Sequence, residues 1–169
     1  STVVATVMSN LGLEKFFEKN GIKLIRAKVG DRYVVEKMLS GDYNFGGEQS
    51  GHIIFLDYNT TGDGQITAVQ TLNLMKSKNM SLSMLSSPVK LFPQVLMNVE
   101  VGKVQDIRSV PIIMDAIRAA EKKLEGRGRI LVRPSGTEPK IRVMLEGDDL
   151  KLIKRLGREV SKAIRESMQ

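Results

Sequence analysis

With 169 residues, 41% of them hydrophobic, the chain can bury a core as one domain or as two small ones. The absence of cysteine excludes disulfides and thiolate metal sites and suits a reducing cytoplasm, and no apolar run approaches the roughly 20 residues of a membrane helix. The +7 net charge lies mostly in the second half, but only 5% of residues are aromatic, and Asp148, Asp149, Glu159 and Glu166 interleave with the basic residues of the last helix. That pattern argues for a solvated helical face and a small anionic ligand rather than nucleic acid.

The chain opens at Ser1 in a strand-like run, residues 3–8, with no export leader, as expected of a piece of a longer protein. Leu13, Phe16 and Phe17 then mark a short helix over residues 11–20, closed by Gly21, and residues 22–27 form a strand. Asp31 is placed to cap the next helix, whose predicted buried stripe is Tyr33, Val34, Met38 and Leu39. Residues 43–46 and 53–56 are strand candidates around a polar loop. Asp63 or Thr61 then caps a helix to about residue 77, with Ile66, Val69, Leu72 and Met75 on one face.

Residues 79–93 are rich in Ser and Met, contain two prolines and end the periodic pattern, which sets a domain boundary there. Beyond it the pattern predicts a strand over 94–101, a helix over 111–124 with Pro111 in its first turn, strands over 129–133 and 140–146, and a helix over 149–167. The fold class is α/β plus α+β: domain 1–85, a hinge over 86–93, and a β-α-β-β-α domain over 94–169.

Between the strands of the second domain lies Arg133-Pro134-Ser135-Gly136-Thr137-Glu138-Pro139. A guanidinium, two hydroxyls and a glycine within five residues can wrap a phosphate; Pro, Ser and Gly also make ordinary hairpin turns. Arg142 on the following strand, with Arg127 and Arg129 on the preceding segment, adds positive charge near the same turn and favours the phosphate reading.

The loop Gly46-Gly47-Glu48-Gln49-Ser50-Gly51-His52 offers a carboxylate, an amide, a hydroxyl and an imidazole between glycines. It suits a polyhydroxylated ligand or a flexible strand connection. His52, the only histidine, is either an acid–base group or a structural hydrogen-bonding residue. Residues 28–32, with Asp31 and Arg32, join a strand to a helix where ligand-facing loops of α/β domains lie.

Residues 57–64 imitate the start of a calcium loop, but the glutamate needed at its twelfth position falls on Ala68, so they are read as a turn feeding a capped helix. The nine methionines are core filler.

On these residues the chain resembles the C-terminal part of the α-D-phosphohexomutases. Residues 47–52 resemble that family's sugar-recognition loop, with the Gln after Glu typical of its glucosamine enzymes, and residues 133–139 resemble its phosphate-binding loop. Val29-Gly30-Asp31-Arg32-Tyr33 and Thr61-Gly62-Asp63-Gly64 also resemble the family in order and approximate spacing.

The resemblance implies part of a mixed-sheet α/β domain, the family's third, then a fourth domain like the TATA-box-binding protein that closes as a lid. It implies an isomerase interconverting glucosamine 6-phosphate and glucosamine 1-phosphate through a phosphoserine, a hexosamine 1,6-bisphosphate and Mg²⁺, for cell-wall precursors. A mutase for glucose or mannose phosphates and a stand-alone phosphosugar-binding module are the alternatives. Glu48, Gln49, Ser50 and His52 would meet the sugar; Arg133, Ser135, Gly136, Thr137 and Arg142 would meet its phosphate. The family's serine and metal loops are not among these residues, so the implied catalytic and metal groups lie elsewhere and the chain alone is expected to be inactive. Open strand edges leave room for a homodimer.

Overall fold

A computed structural model describes residues 1–102, 106–136 and 138–168, and the chain divides into two compact units, Ser1–Leu91 and Phe92–Gln169. The first unit runs β1 (Thr2–Thr6), α1 (Leu11–Lys19), β2 (Lys23–Ala27), α2 (Asp31–Ser40), β3 (Phe45–Gly47), β4 (Ile53–Phe55), α3 (Gly64–Lys78) and α4 (Leu82–Ser86). Its sheet has the order β2-β1-β3-β4, with β1 parallel to β2 and β3 and β4 antiparallel to β3. This is the mixed α/β sheet expected of the alternating pattern.

Local chemistry sets the helix ends. Asn10 caps α1 by accepting from the Gly12 N–H, and Gly21, at φ +66°, supplies the left-handed step behind it. Of the two candidate caps for α3 the structure uses Asp63, which accepts from the Gln65 and Ile66 N–H groups. Ser81 caps α4, a turn of helix not foreseen in the Ser- and Met-rich segment.

Two expectations are corrected. Gly30, at φ 124°, is the N-cap of α2, and Asp31 is its first helical residue, accepting only from the adjacent Arg32 N–H. Val34 and Met38 pack into the core with Val4, Ala27 and Ile54, whereas Tyr33 and Leu39 are exposed. At about 100° per residue, positions 33 and 39 turn off the 34/38 stripe to either side. No residue of α3 is buried: Ile66, Thr67, Gln70, Thr71 and Met75 are half-buried, while Val69 and Leu72 point outward, each 62% exposed.

The second unit runs β5 (Gln94–Glu100), a single 3-10 turn (Ile107–Ser109), α5 (Pro111–Leu124), β6 (Gly128–Pro134), β7 (Lys140–Gly147) and α6 (Leu150–Ser167). Pro111 starts α5 and Asp149 caps α6, as the sequence pattern predicts. The antiparallel sheet has the order β5-β7-β6. With a side-chain period of two, Val99, Ile141, Val143 and Leu145 face Ile113, Ala120 and Leu124 of α5 and Ile153, Leu156, Val160 and Ile164 of α6.

The opposite sheet face is layered by the strand register. Gln94, Glu146 and Arg129 form one row, Leu96, Met144 and Leu131 the next, and Asn98, Arg142 and Arg133 the third. The third row lies beside the Arg133 loop. Among the described residues no helix is long and apolar enough to cross a membrane.

Candidate functional site

The loop after β3 is held by its own polar side chains. Glu48, whose side chain is only 6% exposed, accepts from the Gly30 N–H at 2.9 Å through Oε1, and its Oε2 lies 3.4 Å from Nδ1 of His52. Ser50 Oγ is 3.3 Å from the same ring nitrogen. The buried Thr6 hydroxyl donates to Gln49 Oε1 at 3.1 Å and accepts from the Met8 N–H. Glu48, Gln49, Ser50 and His52 thus gather at the C-terminal end of the parallel strand β1, where ligands of α/β sheets bind.

The glycines of this loop have separate duties. A Cβ on Gly46 would meet the Met38 sulfur at 2.6 Å and the Val4 carbonyl at 2.7 Å, so Gly46 lets α2 lie close on β3. Gly51, at φ 103° with open space over its α-carbon, makes the turn.

The segment 28–32 adjoins this cluster through the Gly30–Glu48 bond. Arg32 is directed elsewhere: its Nε donates to Glu36 at 2.9 Å, and its guanidinium lies 5.8 Å from the Tyr33 ring. Asp31 keeps to its local bond with the Arg32 N–H.

In the second unit Arg133 and Arg142 are directly opposed across β6 and β7. Both Nε atoms are buried and, among the described residues, without a hydrogen-bond partner. Arg142 Nη2 reaches Ser135 Oγ and Glu138 Oε2, each at 3.4 Å, and Arg133 Nη1 reaches the Pro134 carbonyl at 3.4 Å. Burial, and secondarily the charge of Arg142, lowers the Arg133 pKa from the ordinary arginine range. Like charges on opposed strand residues repel, and desolvated donors without acceptors cost free energy. An oxyanion received by both guanidiniums would offset both costs.

Gly136 has open space over its α-carbon and no left-handed φ. Thr137 lies outside the described residues.

Arg127 and Arg129 do not join this pair. Gly128 pairs with Gly147 and Pro134 with Ile141, so β6 carries Arg129 about 13 Å along the strand from Arg133. There its Nε donates to the fully buried Glu146 at 2.8 Å, and Gln94 donates to the same carboxylate at 2.6 Å.

Sequence reasoning missed Thr6, whose signal is a hydroxyl at the end of an apolar parallel strand. It also missed Lys140, which lies directly after the loop motif and pairs with Glu138 at 2.8 Å. Among the described residues no group of three or more His, Cys, Asp or Glu side chains is placed to hold a metal ion. Of the calcium-like residues, Asp63 is a helix cap and Asp57 accepts from Asn44.

Residues 1–92 match the family model "Phosphoglucomutase/phosphomannomutase, alpha/beta/alpha domain III", and residues 96–163 match "Phosphoglucomutase/phosphomannomutase, C-terminal domain". Phosphoglucosamine mutase of Desulforamulus reducens is 56% identical over 150 residues, covering 89% of this chain and 34% of the relative. That of Caldanaerobacter subterraneus subsp. tengcongensis is 52% identical over 167 residues, covering 97% and 37%. The chain therefore spans about a third of the length of these curated relatives.

Among solved structures, Aspergillus fumigatus N-acetylphosphoglucosamine mutase in complex with GlcNAc-6P and magnesium superposes with a TM-score of 0.83 at 18% identity, covering 99% of this chain and 39% of that one. A variant of that enzyme in complex with glucose 1,6-bisphosphate gives a TM-score of 0.81 at 19% identity, with coverage of 99% and 39%. At these identities the likeness is one of fold.

Proposed function

The chain belongs to the phosphoglucomutase/phosphomannomutase family, and on that premise we propose that it is the substrate-binding part of a mutase interconverting glucosamine 6-phosphate and glucosamine 1-phosphate. The observation that carries the phosphate half is the opposed pair Arg133 and Arg142, whose buried Nε atoms have no hydrogen-bond partner among the described residues. The glucosamine half is supported by identities of 56% and 52% to phosphoglucosamine mutases. In this reading Arg133, Ser135, Gly136, Thr137 and Arg142 take the phosphate that is not being transferred, and Glu48, Gln49, Ser50 and His52 take the sugar hydroxyls.

The reaction this implies passes a phosphoryl group from a phosphoserine to the sugar phosphate, and then recovers one from the other end of a hexosamine 1,6-bisphosphate. A turned intermediate keeps its phosphates but presents its ring differently, so strong contacts to phosphate and lighter contacts to the ring suit the task. Magnesium would neutralise charge on the transferring group; no group of described residues here fits it, and none of the roles above depends on it. The reading includes a cytoplasmic location and a supply of cell-wall precursors.

The test is turnover by a protein joining this chain to the rest of its relatives' length, assayed with glucosamine, glucose and mannose 6-phosphates. A preference for glucosamine is expected, and preference for glucose or mannose overturns the assignment. Arg133→Ala should lower kcat/KM by about 10² or more, the scale of losing a charged donor at the phosphate.

A further inference from the structure

We propose that Glu138 is the resident counter-ion of the phosphate loop, holding Arg142 while no anion is bound and surrendering it to an incoming phosphate. The inference rests on the reading of Arg133 and Arg142 as the phosphate site.

The geometry shows why the carboxylate is a placeholder and not a satisfied partner. Its two oxygens are divided between Lys140 Nζ at 2.8 Å and Arg142 Nη2 at 3.4 Å. Neither reaches a buried Nε, and Arg133 receives nothing from it. A phosphate monoester presents three terminal oxygens, and inorganic phosphate four, against the two of a carboxylate, so either can bridge two guanidiniums at once, which Glu138 in its present position does not do.

Release is cheap. The Glu138 side chain is 44% exposed, its contact with Arg142 is long, and its shorter bond to Lys140 can persist after Arg142 is given up. Lys140 and Arg142 already hold the Glu138 carboxyl below the usual carboxylate range, with the Lys140 bond the larger cause, so it competes as an anion at neutral pH. Three cations, Arg133, Lys140 and Arg142, against Glu138 and the exposed Glu100, 3.8 Å from Lys140, leave an excess of positive charge for the ligand. Glu138 thereby sets how tightly the loop holds phosphate, and a loop that must release and rebind its ligand gains from a built-in competitor.

Calorimetric titration of inorganic phosphate into the chain, at low and moderate salt, tests this. Glu138→Gln should tighten binding about two- to fivefold, the fold-change equivalent of one exposed ion pair. Glu100→Gln, which removes a carboxylate 3.8 Å from the same Lys140, should leave it unchanged. In an Arg142→Gln background the Glu138→Gln gain should vanish, because the contact being competed for is gone.

Unchanged or weaker binding by Glu138→Gln, a gain that persists without Arg142, or an equal gain from Glu100→Gln overturns the proposal while leaving the phosphate site standing. Absence of phosphate binding by both the wild-type chain and Glu138→Gln overturns the site reading and this inference together.

Discussion

Glu48 accepts a 2.9 Å hydrogen bond from the backbone N–H of Gly30, fastening the loop after β3 to the N-terminus of α2. The bond gives a 6% exposed carboxylate a fixed partner and directs its second oxygen toward His52, 3.4 Å away. Gly30 itself has a φ of 124°, a backbone that an L side chain rarely adopts.

Glu48→Ala should therefore cost about 1–3 kcal/mol, because the Gly30 N–H loses its acceptor in a partly buried place. Glu48→Gln keeps an acceptor oxygen and should cost less than about 1 kcal/mol. Urea unfolding of the two variants checks this, and equal losses would show that the bond contributes nothing specific.

Two arginines four residues apart on β6 should part company. Arg129→Ala leaves the fully buried Glu146 with Gln94 but without its cation, and should destabilise the chain by about 3 kcal/mol. Arg133→Ala removes a guanidinium that repels Arg142, so it should leave stability nearly unchanged while abolishing phosphate binding. Thermal unfolding together with phosphate titration separates them, and a large loss of stability in Arg133→Ala would assign that residue to the fold instead.

That contrast marks what was legible in the sequence and what was not. The strands and helices of the second unit follow from alternation and caps such as Pro111 and Asp149, which act locally. The pairing of Arg133 with Arg142 follows from a short loop between two strands. The destination of Arg129 does not, because nothing local tells a charged residue at one end of a strand that its partner is Glu146, 17 positions on. The same limit applies to Gly46, whose contact with Met38 depends on how α2 lands on the sheet. Tyr33 and Leu39 mark a further limit: a helix of period 3.6 shows which residues lie near one another, but not which side of a broad apolar arc meets the sheet.

The outward side of α3 gives a direct check. Leu72→Glu changes a side chain 62% exposed on a helix, and the two residues have similar helix propensity, so stability should stay within about 0.5 kcal/mol. Met38→Ala, by contrast, empties a site of 0% exposure against Val34 and Gly46 and should cost about 2–5 kcal/mol. Denaturant midpoints of the two variants decide it, and a comparable loss at Leu72 would mean that the α3 stripe is packed after all.

Acid should unfold the chain partly through the helix caps. The Leu152 N–H, followed by that of Lys151, holds the Asp149 carboxylate below its ordinary value of 3.8, and the Ile66 N–H does the same for Asp63. A depressed folded pKa means that the unfolded chain binds more protons between the two values. The contribution of each cap is therefore full above 3.8 and is lost as pH falls through the lower folded value. Asp149→Asn still caps α6 but does not titrate, so its Tm should fall less than that of the wild type between about pH 5 and pH 2.5. Tm measured across that range should give a shallower acid limb for the variant, and identical limbs would remove Asp149 from the account of acid unfolding.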